Sequence, residues 1–281
     1  MMGAGRRAFS LAGSAHLFIV GCTAVPIAPV TSPSLPVVAY VADDYSFNGP
    51  DTLPAGVATL RMRNRGQEPH HIQLLKLEEG KSLHDVTAAL ADAPGVIPRW
   101  ATQMGGPNAV SAGGVSEAHV SLAPGIYAMI CLVPSHEGVA HAALGMTKAI
   151  HVIPNPAPAH RTSSDYHLAM REFEIVVVET VKKGTHTFQV RNRGTQAHQV
   201  SLVKLGPGSS AMDVAAAFNP LSSGPIPGEL AGGMTSLEPG GEGTFTATLS
   251  EGHYALMCLF PNPASPTGHA AKGMVMNFTV E

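Results

Sequence analysis

With 281 residues the chain has room for one large or two ordinary domains, each able to bury its own core. Its 30 glycines and 23 prolines, against 13% charged residues, point to turn-rich β structure and away from a helical bundle. The net charge is −3, or −5 without Arg6 and Arg7 (15 basic, 20 acidic residues), so composition gives no footprint of a nucleic-acid binder.

The first residues read as an export signal over 1–21, with Arg6 and Arg7 ahead of a short apolar run from Leu11 to Gly21. The run is too short for a stable transmembrane helix. Ile19-Val20-Gly21-Cys22 resembles a bacterial lipobox, which implies that Cys22 is lipidated and anchors the protein to a membrane. Arg6-Arg7-Ala8-Phe9 resembles a twin-arginine signal. Residues 22–36 then form a Pro/Ser/Thr-rich tether. Together these predict an exported, extracytoplasmic lipoprotein.

The rest is an internal repeat. Arg63-Asn64-Arg65-Gly66 returns as Arg191-Asn192-Arg193-Gly194, each followed by a His (His70, His198) and an apolar strand ending in Lys-Leu. Ser82–Val86 matches Ser210–Val214, and Gly125–Pro134 matches Gly252–Pro261. His141-Ala142-Ala143-Leu144-Gly145-Met146 returns as His269-Ala270-Ala271-Lys272-Gly273-Met274. One domain is expected over 37–153, a Pro-rich linker over 154–164 and a second domain over 165–281. In each, alternation predicts strands: Val57–Arg63 and Ser116–Leu122 in the first, Thr185–Arg191 and Gly243–Leu249 in the second. Short apolar runs predict buried strands at Tyr127–Val133 and Tyr254–Phe260. A Ser start, an early Asp and an Ala-rich body predict one helix at Ser82–Leu90 and another at Ser210–Phe218. The fold class expected is all-β: two tandem Greek-key sandwiches, each with one short inserted helix.

Period two places His198 on one face with Val200 and Leu202, leaving Gln199 and Ser201 on the other. A single inward His, a buried free Cys or a gap-filling Met is ordinary core material. His, Cys, His and Met together are different: two imidazoles, a thiolate and a thioether make a trigonal copper site with a weak axial sulfur. The set occurs twice, and packing alone does not explain why all four types recur. Upstream in the first copy, the repeat selects His70 and makes His71 its outward neighbour. Downstream, both His136 and His141 follow Cys131. The repeat and the five-residue step to Met146 favour His141, with His136 as the alternative ligand. A Cys131–Cys258 disulfide would need two buried equivalent sites to abut, which is not expected. Trp100, the single Trp, either covers the first site or packs under the helix.

The Tyr-x-x-x-Cys-x-x-Pro stretch and the closing His-x-x-x-Gly-Met resemble the type 1 (blue) copper domains of the cupredoxin superfamily, plastocyanin- and azurin-like. The likeness covers nearly all of both copies. It implies a β-sandwich with a copper site near one end. The implied ligands are His70, Cys131, His141 and Met146 in the first copy and His198, Cys258, His269 and Met274 in the second. It implies up to two copper ions per chain, alternating between Cu(I) and Cu(II).

Copper enzymes of this architecture carry His-x-His pairs or a His directly before the Cys. This chain has no His-x-His, and Ile130 and Met257 precede its cysteines. The expected function is therefore one-electron transfer, not catalysis. The alternatives are an extracytoplasmic copper carrier or store, a two-domain copper oxidoreductase resembling nitrite reductase or an oxidase, and a copper-free surface interaction module. The sequence names no redox partner and no copper donor or acceptor.

Overall fold

The computed structural model describes residues 1–3, 35–156, 163–218, 224–260 and 268–281. Arg6, Arg7, Cys22 and nearly all of the tether lie outside them. Every element below belongs to one compact unit, Leu35–Glu281.

In the first half the strands are β1 (Val37–Asp43), β2 (Ser46–Asn48), β3 (Thr52–Pro54), β4 (Gly56–Asn64) and β5 (Gln73–Leu77). Helix α1 (Leu83–Asp92) follows, then β6 (Ala101–Gln103), β7 (Val115–Leu122), β8 (Gly125–Ile130) and β9 (Thr147–Ile153). The second half has β10 (Tyr166–Arg171), β11 (Glu174–Val177), β12 (Gly184–Asn192), β13 (His198–Leu205) and helix α2 (Ala211–Ala217). It ends with β14 (Gly228–Leu237), β15 (Glu242–Leu249), β16 (Gly252–Met257) and β17 (Val275–Val280).

In the first half, β2-β1-β4-β7 faces β3-β9-β8-β5-β6; in the second, β11-β10-β12-β15 faces β14-β13-β16-β17. Their alternating apolar residues close two cores. Tyr40, Leu60 and Met62 meet Leu74, Met129 and Ile150 in one; Phe188, Val190 and Phe245 meet Val200, Leu202 and Leu256 in the other. The chain is thus all-β, two Greek-key sandwiches as expected. In each, a buried tyrosine pins the turn before its strand: Tyr127 Oη donates to Ala123 O (2.9 Å) and Tyr254 Oη to Ser250 O (3.0 Å). Both helices open on the expected Ser, whose hydroxyl accepts from the Asp backbone N–H three residues on, while that Asp side chain accepts from the Ser backbone. Trp100 packs against the cluster that holds Val86 and Leu90 of α1 together with Leu75 and Leu77 of β5, so it serves the helix side of the domain.

The halves share an edge. β7 pairs antiparallel with β15, with Ala118 opposite Phe245, so four strands from each half form one eight-stranded sheet. This joint corrects two expectations. Gln199, Ser201 and His71, expected to face outward, are all buried. The 104–110 segment runs between β5 and β14, hydrogen-bonded to both, and β14 in turn pairs with β13. Asn108 Nδ2 donates to Val200 O (2.9 Å) and Ser201 Oγ (3.1 Å), and Gln73 and Ser236 exchange two hydrogen bonds (3.1 and 2.8 Å). The strands expected to reach Val133 and Phe260 also stop early, at Ile130 and Met257. There the chain folds back on itself: Cys131 N donates to Met146 O (3.2 Å) and Cys258 N to Met274 O (3.1 Å).

Candidate metal centres

Each half brings its two expected histidines and its cysteine into one buried cluster: His70, Cys131 and His141, and His198, Cys258 and His269, with the ligand atoms of each trio within 4.8 Å of one another. Three pieces of chain deliver them. The first His sits just before β5 or at the start of β13, the Cys just past β8 or β16, and the second His opens a 3-10 turn, His141–Leu144 or His269–Lys272. Gly145 (φ 103°) and Gly273 (φ 98°) end these turns in the left-handed conformation, where a side chain would be strained. That reversal returns Met146 and Met274 alongside the cysteines. Met146 N donates to His141 O (2.9 Å) and Met274 N to His269 O (3.2 Å), so backbone bonds tie Cys, His and Met together. All eight expected ligands are at most 1% exposed.

The imidazoles converge through Nδ1. The Nδ1 atoms are 3.0 Å apart in both pockets. Cys131 Sγ lies 3.5 Å from His141 Nδ1, and Cys258 Sγ lies 3.6 Å from His269 Nδ1 and 4.0 Å from His198 Nδ1. Bonds of about 2.05 Å to nitrogen and 2.3 Å to sulfur, arranged trigonally, would give about 3.5 Å between nitrogens and about 3.8 Å from nitrogen to sulfur. The trios fit a first-row ion after shifts of a few tenths of an ångström. Each sulfur also accepts a backbone N–H, from His71 (3.5 Å) or Gln199 (3.4 Å).

Burial sets the protonation. It pushes both thiols up to about 12. Burial, reinforced by the facing imidazole, pushes His141 and His269 down to about 4; burial also lowers His70 and His198. The metal-free pockets thus hold neutral imidazoles and neutral thiols. His71, the excluded neighbour of His70, is pushed down to about 3 by burial, and its Nε2 accepts from Leu132 N (2.9 Å). It braces the cysteine loop. His136 stands outside the cluster, with its side chain 77% exposed and its Nδ1 3.0 Å from Glu68 Oε1.

Residues around the trios were not singled out by sequence. In the first pocket His70 Nε2 meets Asp44 Oδ1 (2.7 Å), and His141 Nε2 meets Glu68 Oε2 (2.9 Å), which also accepts from Tyr45 Oη (3.0 Å). Burial opposes ionisation of both acids. The Gln67 N–H and His70 outweigh it at Asp44, and the His136 N–H and ring outweigh it at Glu68, so both stay below their ordinary values. In the second pocket His198 Nε2 has no hydrogen-bond partner, and Glu172 Oε1 lies 3.9 Å away. Phe173 and Phe260 flank His269, with centroids 5.4 and 5.9 Å from its ring. The repeated Arg-Asn-Arg-Gly also gains a role. Asn64 Nδ2 donates to Glu68 O (2.8 Å) and Val110 O (3.0 Å), and Asn192 Nδ2 donates to Gln196 O (2.7 Å) and Leu237 O (2.8 Å), fixing the loop before each first His. A Cβ on Gly66 would stand 2.6 Å from His70 Nε2, and one on Gly194 2.9 Å from His198 Nε2. Of these residues only Asn64 and Asn192, and Gly66 and Gly194, carry a sequence signal, in that both copies keep them.

No helix among the described residues is long and apolar enough to cross a membrane, and Cys131 and Cys258 are free thiols. No family model and no curated protein matches the chain. Solved structures do. A dithionite-reduced auracyanin from Roseiflexus castenholzii is 30% identical, covering 41% of this chain and 94% of that one, with a TM-score of 0.31. Auracyanin A, a blue copper protein from Chloroflexus aurantiacus, is 19% identical over 43% of this chain and 100% of its own, also at 0.31. A copper-containing nitrite reductase from Thermus scotoductus is 14% identical over 87% of this chain and 61% of its own, at 0.25.

Proposed function

We propose that this chain binds copper in both halves, at type 1-like sites made by His70, Cys131, His141 and Met146 and by His198, Cys258, His269 and Met274, and that it carries single electrons. The observation that carries this reading is the convergence, twice, of two Nδ1 atoms and one Sγ in a buried trio. Bound copper would supply one-electron chemistry by alternating between Cu(I) and Cu(II). The thiolates favour Cu(I) and the imidazoles tolerate Cu(II), so one donor set suits both states. Folding the ligands onto strand ends and a hydrogen-bonded 3-10 turn keeps their positions fixed, which limits rearrangement when the charge changes.

Full burial of all eight ligands supports a resident metal over one handed from site to site, and so a carrier of electrons over a carrier of copper. The same closure, with no His before either Cys, supports a carrier over an enzyme. The basic leader and Cys22 support export and a lipid anchor.

Adding Cu(II) to the purified chain and recording the visible spectrum tests the reading. The expected result is an intense thiolate-to-copper band, two coppers per chain, and loss of one copper's share in Cys131→Ser and again in Cys258→Ser. A colourless chain that binds no copper refutes it. A loaded, reduced chain that surrenders copper to a Cu(I) chelator before it reduces a one-electron acceptor would refute the electron-carrier part.

A further inference from the structure

The two trios are alike in geometry and unlike in what surrounds them. In the first pocket the outer nitrogen of each imidazole meets a carboxylate: Asp44 at 2.7 Å from His70 and Glu68 at 2.9 Å from His141. Tyr45 donates to Glu68 and lies against the His141 ring at 4.9 Å. The repeat places Glu172, Phe173 and Gln196 where Asp44, Tyr45 and Glu68 stand. Glu172 Oε1 accepts from the Thr195 N–H and hydroxyl and stands 3.9 Å from His198 Nε2, beyond hydrogen-bond reach. Phe173 can neither donate nor accept, and Gln196 carries no charge. Lys272 occupies the place of Leu144. Its ammonium sits 4.6 Å over the Phe173 ring.

Two effects then act in one direction. A carboxylate accepting from the outer N–H of a ligating imidazole makes that ligand more basic and stabilises the more highly charged metal. Two nearby negative charges in a partly desolvated pocket also favour the added positive charge of Cu(II), whereas phenyl rings and a lysine favour Cu(I). Resting on the copper reading above, we infer that the two sites are deliberately unequal: Asp44 and Glu68 bias the first pocket toward Cu(II), while Phe173, Gln196 and Lys272 bias the second toward Cu(I). Electrons on the chain therefore collect in the second half, and the first is the site that gives up its electron more readily.

The experiment uses the full chain loaded with Cu(II) and titrated with a one-electron mediator couple, following the thiolate band. The unaltered chain is expected to show two one-electron waves. Cys131→Ser and Cys258→Ser then assign them, because each leaves one pocket. At a common potential the Cu(I):Cu(II) ratio in the first pocket should be at least tenfold below that in the second, which is about 59 mV for one electron. Glu68→Gln should raise the ratio in the first pocket alone, and Gln196→Glu should lower it in the second alone. A single two-electron wave in the unaltered chain, or the opposite assignment, overturns the inference while leaving copper binding intact. Failure of either pocket to load copper overturns it together with the proposed function.

Discussion

Acidifying the chelator-stripped protein probes whether the imidazoles are held neutral by the fold. His141 is depressed from 6.5 to about 4 by burial and by His70 beside it. A group whose folded pKa lies below its unfolded value contributes stability that is fully present above the unfolded value and lost as pH falls toward the folded one. The shift, about 2.5 units, corresponds to about 3 kcal/mol at 1.36 kcal/mol per unit. Between pH 6.5 and 4 the unfolded chain binds up to one more proton at this position, so stability should fall by up to about 1.4 kcal/mol per pH unit. Asp44 and Glu68 are lowered from 3.8 and 4.5, so their losses begin only toward the bottom of this range, and the slope between pH 6.5 and 5 reports the histidines. Urea denaturation at half-unit steps from pH 7.5 to 4 gives the slope directly. Repeating it with His141→Gln should lower the slope in that window by nearly one proton. An unchanged slope would show that His141 titrates in the folded protein as it does unfolded, and the protonation argument for the pocket would fall.

Metal loading should release protons. Each thiol is pushed up to about 12 and both partner imidazoles are already neutral, so Cu(II) entering at pH 7 should expel about one proton per pocket. Calorimetry in buffers of different ionisation enthalpy counts them, and no dependence on buffer would contradict a thiolate ligand. Asn108→Ala strips Nδ2 donations from Val200 O, Ser201 Oγ and Met234 O across the joint. It should cost about 2 kcal/mol, read as a lower denaturant midpoint at constant slope. Gly66→Ala forces a Cβ against His70 Nε2 and Asp44 Oδ1, an overpacking of about 1–3 kcal/mol. It should weaken copper in the first pocket and spare the second, with Gly194→Ala doing the reverse; equal losses in both would refute the local argument.

The trios could be read from the sequence because their residue types are rare in combination and the chain states them twice. The strands flanking them could be read because alternation survives wherever one face meets a core. His71, Gln199 and Ser201 broke that rule for a physical reason. They lie along the joint, where Asn108 of the first half reaches Val200 O and Ser201 Oγ of the second, and a joint between sandwiches leaves no periodic mark in either one. Asp44 and Glu68 were missed because they precede their histidines by 26 and 73 residues and sit on a hairpin tip and a loop. Nothing in local patterning distinguishes such acids from solvated surface charge. His141 and His136 were separable by the repeat alone. The structure adds that both reach the same carboxylate, His141 from inside and His136 from outside.

The repeated and unrepeated residues divide by task. Asn64 and Asn192, Gly66 and Gly194, and Gly145 and Gly273 recur, and each fixes where a ligand atom can stand. Asp44 and Glu172, Tyr45 and Phe173, Glu68 and Gln196, and Leu144 and Lys272 differ, and in the first pocket Asp44 and Glu68 set the charge that the outer nitrogens meet. A change in the first class should alter how much metal a pocket holds. A change in the second should leave occupancy near full and move only the balance between oxidation states. In the proposed sites the first class acts on where the chain stands: backbone bonds fix the turns that carry the Nδ1 and Sγ atoms that would touch the metal, and Gly66 and Gly194 keep room beside Nε2, while Asp44 and Glu68 act on Nε2 through charge. A second-class substitution that emptied its pocket would mean that Asp44 and Glu68 hold the imidazoles in place as well as charging their surroundings, and Glu68→Gln, which keeps the shape and removes the charge, separates the two roles.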